Sequence, residues 1–115
     1  MERERELQLY QLQADLCHVL ADPTRLELLH LLGERPRPVK ALIEITGQRQ
    51  SKISQHLAVM RQRGLVRAER RGTEIHYSLA NQRILQACQI TREVMLQRLM
   101  QQGALATQSL SSEEE

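Results

Sequence analysis

Residues 47–64, GQRQSKISQHLAVMRQRG, hold the side chains best suited to chemistry on a polyanion. Ile53, Leu57 and Met60 recur at helical spacing, with Ala58 and Val59 beside them, so one side of a short helix faces a core. The other side carries Gln48, Gln50, Ser51, Lys52, Gln55, His56 and Arg61: amides, hydroxyls and positive charge, with no carboxylate. Amide and guanidinium groups bond in pairs to adenine and guanine edges, while serine and lysine reach phosphate oxygens. A merely soluble helix face ordinarily mixes both signs of charge, and this one does not. The pattern points to contact with double-stranded DNA, with Gln50, Ser51, Lys52, Ser54, Gln55 and His56 toward bases or phosphates and Arg61 on the backbone.

The neighbouring segments are those needed to present such a helix. Residues 39–46 predict a brief helix with Val39, Leu42, Ile43 and Ile45 available for packing, closed by Gly47. Two short helices joined by a tight turn containing glycine read as a helix-turn-helix. After Gly64 the period shortens. Residues 65–70 suit a strand, and Ile75, Tyr77 and Leu79 alternate with His76 and Ser78. Arg71-Gly72-Thr73-Glu74 reads as the hairpin turn between them. A helix-turn-helix followed by a hairpin with a basic tip is a winged helix, and Arg70 and Arg71 stand where the tip meets phosphates or a minor groove.

The flanks are helical. Residues 1–21 predict a helix with two apolar stripes, Leu9, Leu12, Leu16 with Val19 or Leu20, and Tyr10, Ala14, Cys17, Ala21; the opening ERERE is expected to fray. Asp22 suits an N-cap and Pro23 the first helical position. The next helix is expected over residues 24–32, with Leu26, Leu28, Leu29, Leu31 and Leu32 nearly all buried and Gly33 as its stop. Arg35-Pro36-Arg37-Pro38 reads as a linker. A last helix is expected over residues 81–102, capped by Asn81, with an apolar stripe again wider than one core contact requires. The first and last helices are therefore the expected dimer surface. The expected organisation is one domain, residues 1–102, followed by a disordered acidic tail at 103–115 ending in SSEEE.

Composition agrees with a mainly α fold carrying a small β-hairpin. Aromatic residues make up only 2%, so the core must be aliphatic, and helices packed on helices suit it better than a sandwich. The net charge is only +2, but residues 47–83 hold eight arginines and lysines against Glu69 and Glu74, a local excess of +6. A basic middle is an electrostatic footprint for a polyanion. No apolar run is long enough for a membrane span, and no signal segment opens the chain. Two distant cysteines do not make a secreted disulfide framework, so a cytoplasmic protein with reduced thiols is expected.

With these blocks in order, residues 16–99 resemble the ArsR family of small winged-helix repressors. The blocks are Leu20-Ala21-Asp22-Pro23-Thr24-Arg25-Leu26, Gln50-Ser51-Lys52-Ile53-Ser54-Gln55-His56-Leu57, Arg63-Gly64-Leu65-Val66 and the wing from Gly72 to Leu79. The resemblance implies a homodimer held by the first and last helices, an inverted-repeat operator in a promoter, and repression relieved by an inducer. One departure is Arg49, where the family often has a serine or threonine N-cap. Either Gln48 or Ser51 caps instead, or Arg49 reaches a phosphate.

The resemblance also implies two places to look for a sensed metal. One is the segment Pro36 to Leu42, which has no cysteine, histidine or carboxylate; the other maps onto Asn81, Arg83, Val94 and Gln97, none of them a usual zinc ligand. His18, His30, His56 and His76 read as ordinary surface or hydrogen-bonded histidines, so no metal and no cofactor is expected. Cys17 and Cys88 remain, on apolar stripes of the two expected dimer helices. They would form a disulfide if their Cα atoms came within about 7 Å. A redox or persulfide switch is the candidate input, although thiol switches of this family place one cysteine in the second helix and this chain places it in the first. The competing role is that of small buried hydrophobes.

An enzyme is not expected, because no phosphate-cradling glycine motif, paired apolar carboxylates or activated nucleophile is present. The alternatives to a thiol-switched repressor are a repressor with neither thiol nor metal inducer, or a protein-interaction module on the same fold. The carboxylate-free face and the basic middle favour DNA over a protein partner.

Overall fold

The computed structural model describes residues 1–103. Their elements are α1 (Glu2–Leu20), α2 (Pro23–Glu34), β1 (Arg37–Pro38), α3 (Val39–Thr46), α4 (Gln50–Gln62), β2 (Val66–Arg71), β3 (Glu74–Leu79) and α5 (Gln82–Gln101). The acidic tail beyond Gly103 lies outside the described residues. The chain divides into two compact units, residues 1–82 and a second beginning at Arg83.

In the first unit, local chemistry sets most boundaries. Asp22 caps α2 by accepting the backbone N–H of Arg25 at 3.0 Å, and Pro23 takes the first position, whose N–H would have no helical partner. The helix runs through Gly33 to Glu34, past the stop expected at Gly33. Leu31 and Leu32 are buried against the core, and the Leu31 carbonyl accepts Arg37 Nε at 3.1 Å, so the last turn is held in spite of the glycine. Leu26, expected in the core, is 42% exposed, whereas Leu28, Leu29 and Leu32 are buried. The predicted linker is also partly structured. Arg37 and Pro38 pair with Tyr77 and His76, which makes β1 the outer strand of an antiparallel sheet ordered β1-β3-β2. The opening residues expected to fray are helical from Glu2 and fully solvated.

The core lies among α2, α3, α4 and the root of the wing. Leu28, Leu42, Ile53, Leu57 and Met60 are fully buried, with Leu29, Leu32, Leu65 and Val66 beside them. Fully burying one such side chain stabilises the fold by about 1.5–3 kcal/mol. The described part of the second unit is α5. Leu85 is buried and Cys88 half-buried near its start, whereas Ile90, Val94, Met95, Leu99 and Met100 are exposed. Among the described residues no helix is long and apolar enough to cross a membrane.

Candidate nucleic-acid interface

The turn between α3 and α4 is fixed by Thr46. Its hydroxyl donates to the Leu42 carbonyl at 2.7 Å and accepts the Gln48 N–H at 3.2 Å, while Gly47 donates its N–H to the Ile43 carbonyl at 2.9 Å. These bonds carry the chain out of α3 and into α4 within three residues. Arg49 occupies the N-cap position of α4 and makes no cap bond, and among the described residues no other side chain bonds to the first-turn amides there. Neither Gln48 nor Ser51 supplies the missing cap. A helix start left this way presents unbonded N–H groups and the positive end of the helix dipole, which suits a phosphate.

At the other end α4 closes with a Schellman arrangement. Leu65 donates its N–H to the Met60 carbonyl at 2.9 Å and Gly64 to the Arg61 carbonyl at 3.0 Å, with Gly64 left-handed at φ 73°. Met60 and Leu65, the pair that flanks such a motif, are both buried. The wing therefore leaves the helix end at a fixed angle. At its tip Gly72, φ 64°, takes the first central position of a two-residue turn between Arg71 and Glu74, the place where a type II′ hairpin turn wants glycine.

With Ile53, Leu57 and Met60 pinned inward, the outermost line of α4 is Ser51, Gln55, Ala58 and Gln62, spaced at helical repeats, all exposed. Gln50, Ser54 and Arg61 flank this line on one side and Lys52 on the other, also exposed. Gln62 and Ala58 do not stand out by residue type; only their position around α4 puts them on the open face. Gln62 offers an amide in line with Gln55, and Ala58 a flat apolar spot of the kind that meets a thymine methyl.

His56 sits elsewhere. Its side chain is only 12% exposed and turns toward α2, not toward the open face. Arg25 Nε donates to its Nδ1 at 2.9 Å, and Arg25 Nη1 donates to the Val19 carbonyl at the end of α1, also at 2.9 Å. His56 Nε2 lies 3.7 Å from Asp22 Oδ2, and among the described residues this buried nitrogen has no hydrogen-bond partner. Burial pushes the imidazole pKa below its ordinary value; the Asp22 carboxylate opposes this, while the Arg25 and Lys52 cations add to it. The Arg25 N–H that Asp22 accepts likewise holds the Asp22 carboxyl below its ordinary value. His56 is thus a neutral, half-buried ring that locks α4 to α2.

On the wing, strand alternation separates the two tip arginines. Arg70 shares the face of Val66 and Ala68 and stands opposite Ile75; Arg71 shares the outer face with Arg67 and Glu69 and stands opposite Glu74. Both are exposed, and so is Arg67, a third outward cation not singled out from sequence. His76 lies on that outer face, half-buried, 3.7 Å from Glu74.

Among the described residues no three His, Cys, Asp or Glu side chains gather in a way that could hold a metal ion. Cys17 is exposed on α1 and Cys88 is half-buried on α5.

Comparison with known proteins places this arrangement. Residues 22–68 match the family described as "Bacterial regulatory protein, arsR family". The chain is 39% identical over 88 residues to Rv0081 of Mycobacterium tuberculosis, an HTH-type transcriptional regulator, a match covering 76% of this chain and 77% of that one. The crystal structure of Rv0081 superposes with a TM-score of 0.75 at 37% identity, covering 84% of this chain and 97% of that chain. The solution structure of the homodimeric winged helix-turn-helix DNA-binding domain of Mb0332 from Mycobacterium bovis gives a TM-score of 0.69 at 30% identity, over 77% of this chain and 85% of that one. KmtR of M. tuberculosis, also an HTH-type transcriptional regulator, is 40% identical over 75 residues, 65% of this chain and 58% of that protein. The chain belongs to the arsR family of bacterial regulatory proteins, and it is a DNA-binding transcriptional regulator of the winged helix-turn-helix type.

Proposed function

We propose that this regulator acts in the cytoplasm as a homodimeric repressor on an inverted-repeat operator, each protomer laying α4 in the major groove and its wing along the backbone. The observation that carries the reading is the outer line of α4, Ser51, Gln55, Ala58 and Gln62, which bears no carboxylate and starts beside an uncapped helix end. Gln55 and Gln62 read base edges. Ser51, Lys52, Arg49 and Arg61 hold phosphates, and Arg70, Arg71 and Arg67 extend that grip along the wing.

A second copy of the chain is the occupant for the apolar rows that one copy leaves exposed. These are Leu9, Tyr10 and Leu12 on α1 and Ile90, Val94, Met95, Leu99 and Met100 on α5. The homodimeric state of the related Mb0332 domain supports this reading. A two-fold dimer presents its two α4 helices to symmetric half-sites, which is why the operator is an inverted repeat.

Cys17 and Cys88 are the groups through which an oxidant or persulfide would act as inducer. Selection of duplexes from a random pool, with the sedimentation mass of the complex, tests dimer and operator together; a monomeric complex or an asymmetric selected site would overturn them. Anisotropy titrations of reduced, oxidised and polysulfide-treated protein, repeated on Cys17→Ser and Cys88→Ser, test the input. Equal affinity in every state removes the thiol switch.

A further inference from the structure

Arg25 sits where three helices meet. Its guanidinium donates once to the Val19 carbonyl in the last turn of α1 and once to His56 Nδ1 in the middle of α4, and its own backbone N–H is accepted by Asp22 at the start of α2. Val19 is buried, and its carbonyl is one of the four at the end of α1 that no helical N–H can reach. A planar, two-armed donor with both arms at 2.9 Å tolerates little relative rotation of the groups it joins. His56 leaves α4 on the side facing α2, so the rotation of α4 about its own axis decides whether its Nδ1 meets Arg25.

We propose that Arg25 is a positioning residue for DNA reading: by bonding the end of α1 and His56 at once, it fixes the rotation of α4, and therefore the aim of Gln55 and Gln62, to the position of α1. The inference rests on the reading of α4 as the DNA-contacting helix. It adds to that reading a route by which a displacement of α1, the helix that carries Cys17 and the row Leu9, Tyr10, Leu12, is passed to the bases. The route needs His56 neutral, because a proton on Nδ1 would set an N–H against the Arg25 N–H and remove the acceptor. The charged groups around the ring are Asp22 and Arg25 from α2 and Lys52 from α4. Protonation would also strengthen the pull of Asp22 on Nε2, now 3.7 Å away, and draw the ring off Arg25.

The test uses a duplex selected by the full-length wild-type protein from a random pool, and a scrambled duplex of the same composition. Affinities for both are measured at mildly alkaline pH and at a temperature where circular dichroism shows each variant folded. Arg25→Lys, which keeps the charge and loses the fork, and His56→Leu, which keeps bulk and loses the acceptor, should each reduce discrimination between the duplexes by about tenfold. The double variant should lose no more than the worse single one, since both remove one link. His56→Asn, whose amide oxygen stands near the place of Nδ1, should stay within about threefold of wild type. Folded Arg25→Lys or His56→Leu protein that discriminates like wild type would overturn the proposal, as would losses that multiply in the double variant. A His56→Asn loss as large as that of His56→Leu would overturn the role of Nδ1. If Arg25→Lys does not fold, the pH profile decides. Wild-type discrimination should fall as His56 gains its proton, followed by its own nitrogen NMR signals, while the His56→Asn profile stays level. A level wild-type profile across that titration would sink the idea. Failure of the wild-type protein to select any duplex would instead count against the DNA reading itself.

Discussion

Arg71 Nη2 lies 3.7 Å from Glu69 Oε2 on the outer face of the wing, two residues back along β2, and Glu74 stands directly across the hairpin from it. Arg70, one residue earlier, points to the opposite face beside Ile75. The two arginines of the tip are therefore not equivalent cations. Arg71 must give up a carboxylate to hold a phosphate, and Arg70 has no carboxylate across the hairpin from it.

Arg70→Ala should weaken binding to selected and scrambled duplex alike and lower the slope of log affinity against log salt by about 0.9, the share of one phosphate that is no longer neutralised. Arg71→Ala should do less on both counts. Glu69→Gln should tighten both complexes at low salt. Salt titrations of the three variants check this ordering; an Arg71→Ala effect larger than that of Arg70→Ala would show that the wing opens its ion pair fully on DNA.

Gln55 and Gln62 stand in one outward line, two helical turns apart. Gln55→Ala should cost about 1–3 kcal/mol of discrimination at one base position of each half-site while changing affinity for scrambled DNA little. Gln62→Ala should act in the same way at a different position. Binding to a panel of single-base operator variants separates the two. A uniform loss on every duplex would assign either glutamine to the backbone instead.

Acid should loosen the first unit in two steps of the same sign. Burial depresses the His56 pKa, so between the depressed value and the ordinary histidine value the unfolded chain takes up the extra proton, and stability falls as pH is lowered through that window. Asp22 is depressed by the Arg25 N–H; its stabilisation is complete above the ordinary carboxylate value and is lost as pH falls through the folded one. Thermal midpoints from about pH 8 down to about pH 5 should decline for wild type through the first window alone. His56→Asn should flatten that decline, and Asp22→Ala should lower every midpoint through loss of a cap worth about 1 kcal/mol. A midpoint independent of pH over that range would mean that His56 keeps its unfolded affinity for protons in the folded chain.

Gly64→Ala should destabilise the fold by about 1 kcal/mol through backbone strain alone. The residue is left-handed at φ 73°, and a Cβ there would meet no heavy atom within 4 Å. Gly64→Asn should be milder, because asparagine tolerates this region better. Urea midpoints measure both, and an unaffected Gly64→Ala would show that the Schellman closure is dispensable.

Elements with strong periods and clear breaks were legible in the sequence. The bounds expected for α3 are those observed, and the hairpin falls where alternation and the Gly72 turn put it. Three features were not legible, each for a physical reason. The two residues of β1 are too few to show alternation, and one is a proline; only their pairing with β3 makes them a strand. Gly33 has the local propensity of a stop, but the Arg37 side chain, four residues later, secures the turn before it. His56 looked like a DNA contact because its type suits one. Its direction depended on Arg25, 31 residues earlier, and no local pattern carries that information.

The arginines at Val19 and Leu31 have a consequence for how the chain is assembled. In both cases the guanidinium that finishes a helix comes from the segment that follows it: Arg25 closes α1 and Arg37 closes α2. On a chain emerging from the ribosome, the last turn of α1 stays open to water until α2 begins, and that of α2 until β1 docks. Each helix is completed in arrears. Hydrogen exchange in those last turns should then follow the opening of the next element, so the amino-terminal half of the protein unravels as a linked series and not as independent helices.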